Sequence, residues 1–392
     1  MGFPGVDFLK LDELLSDEEL QIRDAARAYV DDKILPIIEQ HHRAGTFPNE
    51  LIREMGEMGF LGSNLEGYDC PGINNVAYGL LMQELERGDS GVRSFCSVQG
   101  ALVMYPIHAF GSEEQKEKWL PALASGEKVG CFGLTEADHG SDPGGMITRA
   151  EDKGDHWLLN GGKYWITNGC VSDVAVVWAK TTIADGGKGV RGFIVERDRE
   201  GFRTETIKNK FSLRASVTSE LIFEDVKLPK ENMLPKTVGL KNALMCLNNA
   251  RYGIAWGGVG SMLATYEEAL RYAGTRKQFD RPIASFQLVQ RKLVEMLSYL
   301  THGQLTALRL GRLKDAGTLH HSMISFGKRN NILGARECAK LGREILGAAG
   351  ICDDYQAMRH MMNIESVYTY EGTHDIHTLI LGHEITGVPA FS

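Results

Sequence analysis

The sequence predicts an α+β protein of three parts, helical, then β, then helical, and three observations predict it. Residues 1–128 carry helix-capping signals ahead of helically spaced apolar residues. Residues 129–237 switch to short β-branched and aromatic runs, and residues 238–392 return to helical spacing. In order, Ser16-Asp17-Glu18-Glu19 fits a capping box before LQIRDAARAYV, and Ser112-Glu113-Glu114-Gln115 repeats that signal before KEKWLPALA. The middle part holds WLLN, KYWITN, VAVVWAK, GFIVE and LIFEDVKL, with turns expected at Asn160-Gly161-Gly162 and at Gly186-Gly187, which suits a small antiparallel β domain. In the last part Phe286, Val289, Leu293, Met296, Leu297 and Leu300 fall on one helical stripe. Two long helices, around 286–314 and 322–346, suit the core of a bundle. A crevice between that bundle and the β domain is the natural seat for a flat cofactor, since a domain junction supplies walls from two sides.

The 392 residues amount to about two to four domains. With 43% apolar and 24% charged residues, wholesale disorder and a disulfide-stapled miniprotein are excluded. A net charge of −8 without a dense Lys/Arg run argues against nucleic acid. No stretch of about 18 apolar residues argues for a membrane span. Residues 1–30 carry acids throughout, unlike a signal or transit peptide, and MGFPGV lacks the Ser/Thr of a myristoylation signal. The expected location is therefore a bacterial cytoplasm, or the mitochondrial matrix for a processed chain. Seven scattered cysteines without a CxxC pair read as free thiols in a reducing compartment, with a nucleophilic cysteine as the alternative.

Several segments could carry chemistry. In Cys131-Phe132-Gly133-Leu134-Thr135-Glu136-Ala137-Asp138-His139-Gly140-Ser141-Asp142, small residues and hydroxyls would let backbone amides approach a ligand, or would simply form a turn rich in caps. Trp165-Ile166-Thr167-Asn168 places an aromatic and a hydroxyl on a strand, where ordinary sheet packing is the alternative. Glu371, between Tyr370 and Gly372, is placed to act as a general base, or is a solvated side chain. His374 and His377 share a helical face, with His383 beyond, but no second ligand motif supports a metal, so none is expected. Arg93 is a lone cation among apolar neighbours and needs an anion, either a ligand or Glu86 or Asp89 nearby in sequence. Arg276, Phe279 and Gln287, at the start of a long helix, could hold a phosphate or adenine, or cap a bundle.

Four motifs in order, CFGLTEADHGSD with WITNG, RKQFDRPIASFQ, EILGAAGI and YEGTHDIHTLILG, resemble the acyl-CoA dehydrogenases, a flavoprotein family, over nearly the whole chain. ELERGDSGVRSFCSVQ, CLNNARYGIAWG and SLRASVTSELIFEDV resemble in particular its glutaryl-CoA-oxidising subgroup. The resemblance implies an N-terminal helical domain, a middle antiparallel β-barrel and a C-terminal four-helix bundle, with FAD as cofactor. Glu371 matches the family's base, which removes an α-proton while the β-hydrogen leaves as hydride to flavin N5. The thioester enolate would be stabilised by a flavin ribityl hydroxyl and the backbone amide of Glu371, beside Gly372.

By the same matching, Phe132, Gly133, Leu134, Thr135 and Ser141, together with Trp165, Ile166 and Thr167, would line the flavin, and Ser141 would also touch substrate. Arg276, Phe279 and Gln287 would bind its pyrophosphate and adenine end. Glu344, Ile345, Leu346, Gly347 and Ala348 would approach it across a subunit boundary, implying a homotetramer, and Thr373 and Phe391 would complete the shell. Ala348-Ala349 departs from the Gly-Gly that relatives often carry there. Cys246, Leu247, Asn248, Asn249, Ala250, Arg251, Tyr252 and Gly253 would face the CoA thioester. Arg93 and Ser94 match residues that hold the distal carboxylate of glutaryl-CoA. Glu86 and Tyr370 match the decarboxylating branch, which forms crotonyl-CoA and CO2 and passes electrons to an electron-transfer flavoprotein. The rivals are a dehydrogenase of another short acyl-CoA, an oxygen-using oxidase, and a flavin-free helical binding protein.

Overall fold

The computed structural model describes residues 5–182 and 188–390, so the expected turn at Gly186-Gly187 and the expected contact of Phe391 lie outside the described residues. Seven helices open the chain: α1 (Asp17–Tyr29), α2 (Leu35–Ala44), α3 (Leu51–Glu57), α4 (Asn75–Gly88), α5 (Ser90–Ser97), α6 (Tyr105–Phe110) and α7 (Glu113–Ala124). A small ribbon, β1 (Glu66–Gly67) with β2 (Cys70–Pro71), precedes α4. Both capping boxes form: Glu19 N–H donates to Ser16 Oγ and Ser16 N–H to Glu19 Oε2, and Ser112 and Gln115 repeat the exchange.

The middle part is a seven-stranded sheet of β3 (Gly130–Gly133), β4 (Arg149–Asp152), β5 (His156–Thr167), β6 (Val174–Thr182), β7 (Lys188–Glu196), β8 (Phe202–Thr206) and β9 (Thr218–Pro229). Along it β3, β6, β4, β5, β9 and β8 are neighbours in turn, and β7 pairs with β6. The expected pattern is refined in three places. CFG, at the head of the segment that composition alone favours as a turn, is strand β3, and it pairs parallel to β6. The long β4–β5 excursion between β3 and β6 supplies the crossover that parallel pairing requires. Asn160-Gly161-Gly162 is a bulge inside β5 rather than a turn, with a register shift between Leu159 and Gly161. Gly161 lies at φ 135°, where a Cβ would sit 2.7 Å from the Thr148 Cα, and Asn160 exchanges hydrogen bonds with Asp225 of β9. Finally, no registered pair joins β7 to β8 among the described residues, so the sheet is not closed there, and β3, β7 and β8 each have one strand partner.

The C-terminal part is built on α8 (Lys241–Thr275), followed by a ribbon of β10 (Lys277–Gln278) and β11 (Arg281–Pro282) and by α9 (Gln287–Asp315), α10 (His321–Leu346), α11 (Ala357–Thr369) and α12 (His374–Thr386). Helix α8 packs on α4, α9 and α10, and every residue from Ala250 to Tyr266 is buried. Glycines make that burial possible. A Cβ on Gly260 would stand 2.0 Å from the Gln83 carbonyl oxygen of α4, and one on Gly79 would stand 2.2 Å from Trp256 of α8. All seven cysteines are free, and no helix among the described residues is long and apolar enough to cross a membrane.

The α4–α8 contact generates a prediction. Gly260→Ala forces the two backbones apart and is expected to destabilise the protein by about 1–3 kcal/mol, read as a lower thermal midpoint; an unchanged midpoint would show that the crossing can open freely.

Candidate active site

Helix α11 ends at Thr369 and α12 begins at His374, capped by Thr373, whose side chain accepts from the Ile376 amide at 3.1 Å. Between them Glu371 and Gly372 both take left-handed backbone, at φ 52° and 91°. That conformation costs a non-glycine residue about 1–2 kcal/mol, so something must hold it. Arg251 of α8 donates from Nε to the Glu371 carbonyl at 2.6 Å. Lys328 of α10 donates to the carbonyls on either side, those of Tyr370 and, at 2.7 Å, Gly372. His377 fills the space beneath, so that a Cβ on Gly372 would come within 2.9 Å of its ring nitrogen.

The Glu371 carboxylate is therefore presented from a fixed turn, and its Oε2 is buried without a hydrogen-bond partner. Burial pushes its carboxyl above the ordinary range, against the pull of Lys328, Arg93 and Arg251. Burial drives the Lys328 ammonium the other way, downward, with Glu371 opposing. A carboxylate with a raised proton affinity and an unengaged oxygen can take up a proton.

Arg93, on α5, reaches the same place. It is 1% exposed, its Nε donates to Glu86 Oε2 at 2.5 Å, and its Nη2 donates to the Tyr370 hydroxyl. Of the two candidate anions near it in sequence, Glu86 is thus the partner, and Glu86 also accepts from Ser90 Oγ. Asp89 serves elsewhere: it caps α5 through the Gly91 amide and accepts from Arg359 and Asn363 of α11, tying the start of α5 to the helix that leads into Glu371. Ser94 is buried next to Arg93.

Only part of the 246–253 segment turns toward Glu371, because a helix this long presents several faces. Arg251 does so, with its Nη1 on Asn248 Oδ1 at 3.3 Å. Asn249 accepts from Lys314 at 2.7 Å. Cys246 and Ala250 are buried in an apolar cluster with Leu247 against it, Tyr252 donates to the Asn75 carbonyl at 2.6 Å, and Gly253 backs onto Tyr78.

A second group forms where β3 leaves the sheet. Lys163 of β5, fully buried, donates to Glu136 Oε1 at 2.9 Å and to the Leu134 carbonyl at 3.0 Å, while the amides of Ile147 and Thr148 donate to the same carboxylate. The Tyr164 amide donates to the Thr135 carbonyl. One buried pair thus locks the 132–141 segment to the 163–167 segment. Burial alone would push the Glu136 carboxyl up, but the two amides and Lys163 more than offset it and hold it at about 2. Lys163 is lowered to about 8 by burial, which Glu136 only partly opposes. Just beyond Lys163 a register shift in β5 turns Trp165 outward at φ 62°, leaving its side chain 58% exposed. Phe132, Leu134 and Ile166 point into the core, whereas Thr135 and Thr167 are half-buried and the Trp165 indole is exposed. An outward indole on a rigid strand with hydroxyls alongside fits the face of a flat aromatic cofactor such as a flavin. Ser141 is exposed on the loop that follows.

The two groups are joined by residues 207–217. The Asn168 amide donates to the Val217 carbonyl, and Ser212 and Leu213 bond Asn363 and Ser366 of α11. A third set stands apart. Arg276, Phe279, Gln287 and Ala348 are exposed, Ile345 and Leu346 are core residues, and Glu344 pairs with Lys292 of α9 at 2.8 Å. No hydrogen bond or ion pair ties this set to the other two among the described residues. Sequence reasoning missed Lys328, Lys163 and the role of Glu136. The signal for Lys328 was available: it lies on the same stripe as Ile324, Asn331 and Ala335, the buried face of α10.

The family models for the N-terminal, middle and C-terminal domains of acyl-CoA dehydrogenases match residues 16–127, 131–226 and 237–386. The chain belongs to the acyl-CoA dehydrogenase family. It is 35% identical over 96% of its length to a glutaryl-CoA dehydrogenase of Desulfococcus multivorans, covering 99% of that protein. A crystal structure of glutaryl-CoA dehydrogenase from Mycobacterium smegmatis matches with a TM-score of 0.96 at 54% identity, covering 99% of this chain and 100% of the other. A second structure from that organism, in complex with FADH2, matches at 0.97 and 47%, covering 100% of both chains.

Replacing Glu136 by Gln leaves the Lys163 ammonium buried without its counter-charge, and a loss of about 3–5 kcal/mol is expected in thermal or denaturant unfolding. Because the folded carboxyl lies below its ordinary 4.5, the contribution of Glu136 is present above that pH and is lost as the pH falls toward about 2. A Glu136→Gln variant with parental stability at pH 7 would contradict this.

Proposed function

We propose that this chain is an FAD enzyme that oxidises glutaryl-CoA and decarboxylates the product, passing electrons to an electron-transfer flavoprotein. The observation that carries the reading is the buried Arg93, held by Glu86 and Tyr370, one residue from the carboxylate of Glu371. The kinship with glutaryl-CoA dehydrogenases, one of them holding FADH2, supports it.

In this reading the chain comprises three domains divided near residues 128 and 237, and FAD lies along Trp165, Thr135 and Thr167. Bound there, FAD supplies the acceptor for the substrate's β-hydride. Glu371 takes the α-proton of the thioester, and its N–H donates to the thioester oxygen where negative charge develops. The raised proton affinity of Glu371 suits a base that must take and keep a weakly acidic proton. Arg93, with Ser94 beside it, holds the distal carboxylate by charge-assisted bonds and so selects a dicarboxylic chain. The oxidised chain then loses its γ-carboxylate as CO2. The bond's electron pair passes into a dienolate, and Glu371 returns its proton to give crotonyl-CoA. Glu86 competes for the Arg93 guanidinium, which weakens its grip on the carboxylate that departs. Asn248, Arg251, Ser141 and Gly372 line the thioester path. Arg276, Phe279 and Gln287 hold the adenine end of FAD together with residues 344–348 of a neighbouring subunit in a homotetramer, placed in a bacterial cytoplasm.

Anaerobic mixing with glutaryl-CoA is expected to bleach the flavin and to yield crotonyl-CoA and CO2; glutaconyl-CoA as the sole product would overturn the decarboxylation. Glu371→Gln is expected to keep FAD and to slow bleaching by at least about 100-fold, and an active variant would remove Glu371 from its role. Since only ionised Glu371 accepts a proton and its folded value is raised, the rate of bleaching should fall on the acid side at a pH above 4.5. Arg93→Met should reduce kcat/KM for glutaryl-CoA relative to butyryl-CoA by about 10- to 100-fold; an unchanged ratio would show that Arg93 does not read the carboxylate.

A further inference from the structure

The turn that carries Glu371 is held in an unusual way. The carbonyl of a helix C-cap and those just beyond it have no intrahelical partner and are ordinarily met by a capping amide or by water. Here three consecutive carbonyls, of Tyr370, Glu371 and Gly372, are met by two buried cations from two other helices. Lys328 takes the outer two and Arg251 the middle one. Lys328 is 2% exposed and carries its charge into the interior, an arrangement that is costly unless the charge is used. A methionine of similar length would fill the same space without that penalty.

Peptide groups are planar, so a bound carbonyl fixes the amide on its opposite side. With the Tyr370 carbonyl on Lys328, the Glu371 N–H points away from α10. With the Glu371 carbonyl on Arg251, the peptide plane after Glu371 is fixed as well. Both dihedrals of Glu371 are then set, and with them the direction in which its carboxylate leaves the chain. We propose that Lys328 is a positioning residue for the reaction: by gripping the carbonyls on both sides of Glu371 it aims the base and the Glu371 N–H at the thioester together. The proposal deepens the reading above, on which it rests. It assigns to the middle of α10, away from the EILGAAGI motif at the end of that helix, the task of assembling base and oxyanion donor into one rigid unit.

Two variants separate this role from simple support. Lys328→Met removes both bonds and the charge; Lys328→Gln keeps an NH2 that can reach the carbonyls. The expected result is that K328M holoenzyme retains FAD and glutaryl-CoA binding while flavin reduction slows about 100-fold, the effect of a displacement of about 1 Å in a catalytic group. K328Q should lose about tenfold at high pH, because its shorter NH2 cannot hold both carbonyls as Lys328 does. Its acid limb should move to higher pH, because the carboxylate has lost a neighbouring cation. As a readout independent of turnover, amide hydrogen exchange in the peptide spanning residues 367–377 should accelerate in K328M more than elsewhere in the chain. If K328M gives no holoenzyme, K328Q decides: faster exchange with slowed reduction supports the role, and native exchange and rate overturn it. K328M reducing within about threefold of the parent rate would overturn it while leaving the reaction intact. A parent holoenzyme bleached by no acyl-CoA would overturn the reaction and this role with it.

Discussion

The site depends on a left-handed turn placed where one helix stops and the next begins, and on the buried cations that hold it there. Glu371 in that turn is strained by its own chirality, with His377 packed beneath it. The restraint comes from α8 and α10, through Arg251 and Lys328, and a third cation, Arg93, arrives from α5 against Tyr370. Each of these charges is kept inside by a specific partner: carbonyls for Arg251 and Lys328, Glu86 and the Tyr370 hydroxyl for Arg93. Proton affinity at Glu371 is the balance of that arrangement, burial pushing it up and the three cations pulling it down.

The remainder of the molecule keeps these helices in register. Helix α8 can deliver Arg251 only because glycines let α4 approach its backbone, and α4 carries Glu86 on the same face of contact: a Cβ on Gly257 would meet Glu86 Oε2 at 2.9 Å. Arg359 and Asn363 of α11 grip Asp89 at the junction of α4 and α5. The sheet is tied to the same helix through Ser212 and Leu213. In the sheet, a single buried pair, Glu136 with Lys163, fixes the two segments that offer a flat surface outward. Both surroundings use one principle, a buried charge satisfied by backbone groups, which makes the local geometry rigid and intolerant of partial loss.

Much of this was legible in the chain. Capping boxes at Ser16 and Ser112, the β-branched and aromatic run VAVVWAK and the stripe through Phe286 to Leu300 are local signals, and the elements they announce are present. Asn160-Gly161-Gly162 misled, because the same residues serve a hairpin turn and a bulge, and only the approach of Thr148 and Asp225 selects the bulge. Helix α8 gave no stripe to read, since from Ala250 to Tyr266 it is buried on all sides and apolar periodicity vanishes when no face is wet. CFG in β3 was hidden for the related reason that a short, wholly buried strand shows no alternation.

By itself the sequence determined the helical, β and helical order and the family, and it singled out Glu371 and Arg93 as candidates, because these rest on local periodicity and on motifs contiguous in the chain. Only the tertiary structure decided what Arg93 pairs with, which face of 246–253 turns to Glu371, that Lys163 and Glu136 lock the sheet, and that Lys328 holds the turn. Apart from Arg93 and Glu86, seven positions apart, those contacts join residues dozens to hundreds of positions apart, and whether a buried charge is satisfied depends on atoms that only folding brings within hydrogen-bonding distance.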